Sequence, residues 1–344
     1  MIIKSAFVAV SITLLAGCGD QTLRTTASPS TPNAIPQTVV TQPDPPPTKI
    51  LTGIRGQVNL GNTCYFNALM QVLVHSDPVI NFVSKAPVEG PVMNSFKRVV
   101  RDHWDQAKRG EAYNPSEFLE LCRETAGFCF AKNVQEDAHE AYQAIMGIVD
   151  EKFSGIFNFN YETVSRCSKP DREYRSKDTA SFLGVTIPDS KNAVQVEDFI
   201  AEWGAKKTVP GKCGMSKLDD DDEATRESLL ITAPEVLVVV LSRVIDPETK
   251  RMTPVTYKPE LDLGKLLAGR IDPRLISHAT LKYELTGVVH HHGQKPKSGH
   301  YVADYLHPRL EKWFHADDSS VRETNVPGTT GSDTPYILLY RRLH

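Results

Sequence analysis

Cysteine is scarce in this chain and never closely paired: six residues in 344, with no C-x-x-C among them. A closed structural zinc site takes four ligands, so no zinc and no other metal centre is expected. An excess of charge of one sign is also missing. Thirty-nine Lys and Arg against 42 Asp and Glu leave a formal net charge of −3, which gives no nucleic-acid signature. No glycine-rich phosphate loop follows a strand pattern, and no segment repeats, so nucleotide-cradling and solenoid architectures are excluded. The mostly apolar stretch Ser5 to Ala16 is too short to span a bilayer. What remains is an apolar fraction of 40% and a charged fraction of 24%, the balance of a soluble globular protein with a substantial core.

The N-terminus departs from that balance. Met1 to Lys4 carry one basic residue ahead of the apolar stretch, and small residues lead straight into Cys18. An export signal fits better than a permanent anchor. The run Leu15-Ala16-Gly17-Cys18 resembles the lipobox of bacterial lipoproteins. That resemblance implies a signal peptide over residues 1–17, cleavage before Cys18 and a lipid on its sulfur, with no other membrane contact. The plainer alternative is an ordinary signal peptide that happens to contain a cysteine. Residues 18–50 are rich in Pro and Thr and end in Asp44-Pro45-Pro46-Pro47. Proline fixes φ and removes donors, so this stretch reads as an extended tether to a folded domain over residues 51–344.

Within the domain, Cys122 and Cys129 sit in apolar surroundings and read as buried packing residues. Cys167 and Cys213 are solitary. An oxidising compartment would permit a bridge between them, but sequence alone leaves the pairing open. Residues 51–129 read mainly as helix. Thr63 is the expected N-cap of a helix opened by Cys64, with Leu69, Val72 and Leu73 on one face. Asn114-Pro115-Ser116-Glu117 starts another helix, with Asn as cap and Pro at the first helical position. A third is expected over 135–152, where Ala138, Tyr142, Ile145 and Val149 recur at helical spacing. After Phe153 the pattern turns to strands: Val236 to Leu241, buried on both faces, then 285–290, 300–306, 312–315 and 336–341. Segments 167–178 and 210–223, the latter with the acidic run Asp219 to Glu223, read as irregular and solvated. Helices first and an antiparallel sheet after argue an α+β fold.

Two distant segments carry the chemistry. One is Asn59-Leu60-Gly61-Asn62-Thr63-Cys64-Tyr65-Phe66-Asn67; the other is Ser298-Gly299-His300-Tyr301 followed by Trp313-Phe314-His315-Ala316-Asp317-Asp318. A thiol attacks only as thiolate, and a helix N-terminus favours an anion, so Cys64 is the expected nucleophile. His300 is the expected base and later acid, and Asp317 the group that orients its ring. Asn59 can bring a side-chain amide beside the Cys64 N–H to bind the oxyanion of a tetrahedral intermediate. The triplet His290-His291-His292 does not read as a metal site, because neighbouring strand residues point to opposite faces.

Together these segments resemble the cysteine and histidine boxes of the ubiquitin-specific proteases. Gln135-Glu136-Asp137-Ala138-His139-Glu140 and Tyr336-Ile337-Leu338-Leu339-Tyr340 are similar to two further motifs of that family, in family order. The resemblance implies a papain-like fold with a helical thumb, an antiparallel β palm and a shortened finger extension. It implies hydrolysis of the isopeptide bond after the C-terminal glycine of ubiquitin, with no cofactor and with ubiquitin or ubiquitinated proteins as partners. It places the nucleophile on Cys64, the base on His300, the orienting acid on Asp317, the oxyanion amide on Asn59 and an assisting acid on Asp318. The loop from His291 to Gly299 corresponds to one that closes over the ubiquitin tail. The missing C-x-x-C pairs depart from the family's zinc-bearing fingers. Two alternatives therefore stand: a hydrolase for another ubiquitin-like modifier, and a non-catalytic ubiquitin-binding module. A bacterial export signal joined to these motifs implies a substrate from a eukaryotic host and an effector-like or surface-displayed enzyme.

Overall fold

Chain order largely separates the two kinds of secondary structure; among the described residues three short helices, Val196–Ile200, Leu263–Leu266 and Pro273–His278, lie between strands. The computed structural model describes residues 52–344, apart from 86–89, 109, 127–129, 168–171, 211–222, 247 and 297. The export signal, the tether, Cys129, Cys213 and the acidic stretch 219–222 lie outside the described residues. Six helices come first: α1 (Cys64–Val74), α2 (Asp77–Lys85), α3 (Pro91–His103), α4 (Ser116–Ala126), α5 (Ala138–Ile148) and the short α6 (Glu151–Ser154). Sixteen strands follow: β1 (Phe159–Cys167), β2 (Arg172–Ala180), β3 (Leu183–Thr186), β4 (Val194–Gln195), β5 (Lys207–Pro210), β6 (Glu223–Leu230), β7 (Val236–Ser242), β8 (Val244–Asp246), β9 (Thr249–Lys250), β10 (Val255–Thr256), β11 (Glu260–Asp262), β12 (Lys282–Lys295), β13 (Ser298–His307), β14 (Lys312–Asp317), β15 (Ser320–Thr324) and β16 (Pro335–Arg342).

The large sheet runs β15-β14-β13-β12-β16-β7-β3, with β11 also against β12. Its pairs are antiparallel except β3 with β7, which is parallel and departs from the all-antiparallel expectation. Strand β7 shows why its run is uniformly apolar. Val236, Val238 and Val240 face the helical core, while Leu237, Val239 and Leu241 face a second core on the far side of the sheet. Both faces are dry, so neither can carry a polar residue.

Helix α1 is the centre of the helical core, and all eleven of its residues are buried. A helix apolar all round suits burial, yet α1 carries Asn67 and Gln71, and His75 caps its end. Their spacing of four puts them on one stripe. Asn67 Nδ2 donates to the Val58 carbonyl at 3.3 Å, Gln71 Nε2 to the Arg55 carbonyl at 2.7 Å, and His75 Nε2 lies 2.8 Å from the Gly53 carbonyl. The stripe therefore stitches the entering chain to the helix and satisfies backbone acceptors that the core would otherwise strand.

Two local expectations fail for identifiable reasons. The single helix expected over 135–152 is two. Asp137 caps α5 by accepting from the His139 and Glu140 N–H groups, and Val149 then turns extended so that Asp150 can cap α6. Short carboxylate side chains compete for backbone donors and break a periodic pattern. The segment 167–178, expected to be irregular, is largely strand: β2 pairs with β1 along its whole length in a four-stranded sheet ordered β2-β1-β6-β5. Its charged residues hide the strand signal because both faces are wet. They pair across strands instead, Arg175 with Glu162 at 2.7 Å and Arg166 with Glu173 at 2.9 Å. Cys167, at the end of β1, is disulfide-bonded.

Candidate active site

The five residues singled out from sequence converge on one end of α1. Cys64 opens the helix and is 3% exposed. His300 stands on β13 and Asp317 at the end of the neighbouring β14; the His300 ring nitrogen Nε2 meets Asp317 Oδ1 at 2.6 Å. That contact leaves Nδ1 as the free ring nitrogen. The Cys64 thiol shares a hydrogen bond with the backbone of Tyr301, the residue after His300, so the two halves of the site adjoin.

Burial, as the largest influence, and then the nearby Asp318 carboxylate push the Cys64 thiol above its ordinary value, against the pull of the Tyr301 backbone. This reverses the sequence expectation that the helix N-terminus alone would lower it. Desolvation disfavours the anion more than helix end and backbone favour it. At rest Cys64 is therefore a thiol, and any attack by its sulfur would require a base.

Thr63 occupies the N-cap position, but its hydroxyl makes no cap hydrogen bond to the helix. It accepts from the Leu60 N–H at 2.9 Å and so holds the preceding loop. Asn59 does likewise from the other side: its Oδ1 accepts from the Gly61 N–H at 3.0 Å and the Thr63 N–H at 3.2 Å. One hydrogen of Asn59 Nδ2 goes to Asp318 Oδ2 at 2.8 Å, which leaves the second for a ligand.

Asp318 sits at the two-residue turn between β14 and β15 with φ of 46°, a left-handed conformation that Asp tolerates. Its Oδ1 accepts from Asn67 on α1 at 2.8 Å, its Oδ2 from Asn59, and its backbone carbonyl from the Gln57 N–H at 2.7 Å. Asp318 is the bolt between the thiol-bearing helix and the strand that carries Asp317. Gly56 makes the junction feasible, because a Cβ there would lie 2.2 Å from the Ser319 carbonyl.

Sequence reasoning gave no role to four contributors. Asn67 and Gln71 drew no reading of their own, although their spacing of four, continued by His75, is the signal that could have found them. Gln135 read as part of a helix; instead it precedes α5, and its Oε1 accepts the Gly299 N–H at 3.1 Å beside His300. Asp137 both caps α5 and accepts from the Tyr336 hydroxyl at 2.5 Å, tying helix to sheet. His300, Asp317 and Asp318 bring ligand atoms within 4.8 Å of one another, so this trio could hold a cation. His290 and His292 share one face, their rings 6.4 Å apart, while His291 turns to Tyr301 on the other.

A buried thiol at a helix start, beside a His–Asp pair on an antiparallel sheet, defines the class of papain-like thiol hydrolases. The sequence profile of the family described as ubiquitin carboxyl-terminal hydrolase matches residues 55–340, and the chain belongs to that family. Relatives are distant. Ubiquitin carboxyl-terminal hydrolase 10-B of Xenopus laevis is 24% identical, over 84% of this chain and 47% of its own. Ubiquitin carboxyl-terminal hydrolase 17-like protein C of Mus musculus is 26% identical, over 83% and 54%. The probable ubiquitin carboxyl-terminal hydrolase 16 of Schizosaccharomyces pombe is 23% identical, over 85% and 68%. The chain thus spans about half the length of the first of these. Among solved structures, a chain of the SAGA DUB module of Ubp8, Sgf11, Sus1 and Sgf73 bound to monoubiquitin superposes with a TM-score of 0.69. Sequence identity there is 18%, and the match covers 88% of this chain and 72% of that one. The expected papain-like α+β fold with thumb, palm and finger sheet is the fold of this chain.

Proposed function

We propose that this protein is a thiol-dependent deubiquitinase that cuts the isopeptide bond after the C-terminal glycine of ubiquitin. The observation that carries the reading is the His300–Asp317 pair, anchored through Nε2 with Nδ1 free, one residue from the backbone that bonds the Cys64 thiol.

In this reading His300 takes the thiol proton and the sulfur attacks the carbonyl carbon of the scissile bond. The carbonyl oxygen becomes an oxyanion, which the Cys64 N–H and the second Asn59 Nδ2 hydrogen receive. As the C–N bond breaks, His300 gives its proton to the departing lysine amine, and a thioester remains. Water then attacks the thioester carbon, passing a proton to His300 and leaving a carboxylic acid. The thiolate departs and recovers its proton from the imidazolium. Asp317 orients the ring throughout. Asp318 assists by position, through its ties to Asn59 and Asn67, rather than by proton transfer. The raised thiol value makes the paired base essential to the attack.

The test uses the purified domain and a ubiquitin C-terminal amide reporter, beside Cys64→Ala. Turnover by the first and none by the second is expected; equal turnover rejects the assignment. The finger sheet ends at a disulfide-bonded Cys167 instead of family-type C-x-x-C pairs, and this favours one second reading, a different ubiquitin-like modifier as substrate. A panel of modifier-based electrophilic probes separates the two by which probe labels Cys64.

We further infer that residues 1–17 are an export signal, that Cys18 carries a lipid, that 18–50 is a tether, and that the substrate comes from a eukaryotic host of a bacterium. The disulfide at Cys167 supports this, because such bonds persist in oxidising compartments. Metabolic labelling with an alkynyl palmitate should mark the full chain and not Cys18→Ser; equal labelling of both, or of neither, removes the lipoprotein reading.

A further inference from the structure

Strand β16 ends just where β12 runs on toward His300, with one backbone bond beyond it, from the His291 N–H to the Thr334 carbonyl at 2.8 Å. The last cross-strand pair is His290 with Pro335, and proline offers no N–H. Beyond it the carbonyls of His291 and Gly293 need donors from elsewhere. Lys250, at the end of the β8–β9 hairpin and 6% exposed, supplies them. Its Nζ donates to the His291 carbonyl at 2.8 Å and to the Gly293 carbonyl at 3.2 Å. The same hairpin holds β12 a third time, through Glu248 and the Lys295 ammonium at 2.7 Å.

These contacts straddle the point where the β12–β13 register shifts, between His292 and Lys295. At that root the two arms nearly touch: a Cβ on Gly299 would lie 2.0 Å from the His292 carbonyl. His292 pairs across the ladder with His300 itself. The position of His300 is therefore set from one side by Gln135 through the Gly299 N–H, and from the other by whatever fixes residues 291–293.

We propose that Lys250 is a positioning residue: one buried ammonium replaces the missing strand, fixes the root of the β12–β13 turn and thereby holds His300 for the reaction proposed above. The inference rests on that hydrolase reading for its kinetic consequence, but not for the clamp itself. Among the described residues no carboxylate pairs directly with Lys250. The charged and titratable groups facing it are Arg243 from the end of β7, Asp333 ahead of β16, and His291 and His292 on β12. Burial, with Arg243 adding to it, brings the Lys250 ammonium down to about 8. A methionine would fill the same space without a buried charge but could donate to neither carbonyl.

The test combines amide hydrogen exchange with reporter kinetics on the intact domain. In Lys250→Met, the amides of 291–293 and 299–300 are expected to exchange at least tenfold faster. The kcat for the ubiquitin reporter should fall at least tenfold with KM changed less than threefold. Lys250→Arg, which keeps donors and charge, should restore both to within threefold of wild type. Unchanged protection in a folded Lys250→Met overturns the proposal, whether or not the wild type turns over the reporter. Faster exchange in a protein that never turns over the reporter would instead sink the hydrolase reading and leave the clamp standing. Should Lys250→Met not fold, the wild type is compared with Lys250→Arg. Its protection at 291–293, corrected for intrinsic rates, should weaken between pH 7 and pH 9.5, as Lys250 loses its proton, and should not weaken in Lys250→Arg. Identical pH behaviour of the two proteins overturns the proposal.

Discussion

The two halves of the active site are built in opposite ways. Cys64 belongs to the helical core, on a helix whose every residue is buried. The side chains of His300 and Asp317 are 40% and 52% exposed, on a rim of the sheet that faces solvent. The core half is held by packing, and the rim half by a few hydrogen bonds: Asp317 to His300, Asp318 to Asn59 and Asn67, and Gln135 to Gly299. The contrast teaches where stability and chemistry reside. Substitutions in α1 other than at Cys64 should act on folding, and those on the rim on catalysis with the fold intact.

The sharpest way to break this contrast is on the rim. His300→Ala should lower kcat/KM for the ubiquitin reporter by about 10³ or more. Its melting temperature should stay close to wild type, since an exposed site away from the core carries little stability. A large drop in melting temperature would mean the rim is part of the core after all. The mirror experiment is Leu69→Ala in α1, a fully buried side chain. It should cost about 2–5 kcal/mol in denaturant unfolding, while the activity per folded molecule remains measurable.

Acid tests the core half by another route. Burial holds His75 down to about 3 although two carbonyls pull it upward, and burial pushes His103 well below its usual range and His307 down as well. His75 stays neutral in the folded chain down to about pH 3, and His103 and His307 resist a proton more in the folded chain than unfolded, where each takes one up below about pH 6.5. Their stabilising share is therefore whole above about pH 6.5 and erodes as pH falls toward 3, by up to about 1.4 kcal/mol per pH unit for each group that stays neutral. Thermal melts between pH 7 and pH 4 should fall steeply, and His75→Gln should flatten the slope. A melting temperature independent of pH in that window would remove these buried histidines from the account.

A smaller effect is expected at the bolt. Asp318→Ala frees Asn59 and Asn67 and should lower kcat/KM about tenfold, with a modest loss of melting temperature. Smallest of all, alkylation of Cys64 by iodoacetamide at pH 7.5 should be a few-fold slower than that of a free thiol, because its value is raised. Faster labelling would show a thiolate already formed at rest.

How much of this was legible follows from how local each signal is. The helices at 64–74 and 116–126 and the strands at 236–242 and 298–307 carry their periodicity in a single window, and they fall where the pattern puts them. The Asn114 cap also holds, its Oδ1 accepting the Ser116 N–H at 3.0 Å. Strand β2 was invisible because a strand wet on both faces has no alternation to detect. The break at Val149 was hidden because Asp150 competes for the backbone only once α5 has turned away from the pattern. At the site, residue types suggested roles for Cys64, His300 and Asp317, and the structure brings those three residues together. The ties of Asn59 and Asn67 to Asp318 and the clamp at Lys250 depend on partners between 41 and 259 residues away in the chain.

By itself, the sequence determined the strongly periodic elements and which residue types could serve as nucleophile, base and orienting acid, because periodicity, caps and chemical type are properties of neighbours along the chain. Folding alone decided that the sulfur starts as a thiol rather than an anion, since its proton affinity answers to burial and to a carboxylate hundreds of positions away. It also decided that a sheet edge left bare by a proline is completed by a lysine from another hairpin. Desolvation and unsatisfied carbonyls exist only once distant surfaces have met, and no window of residues contains them.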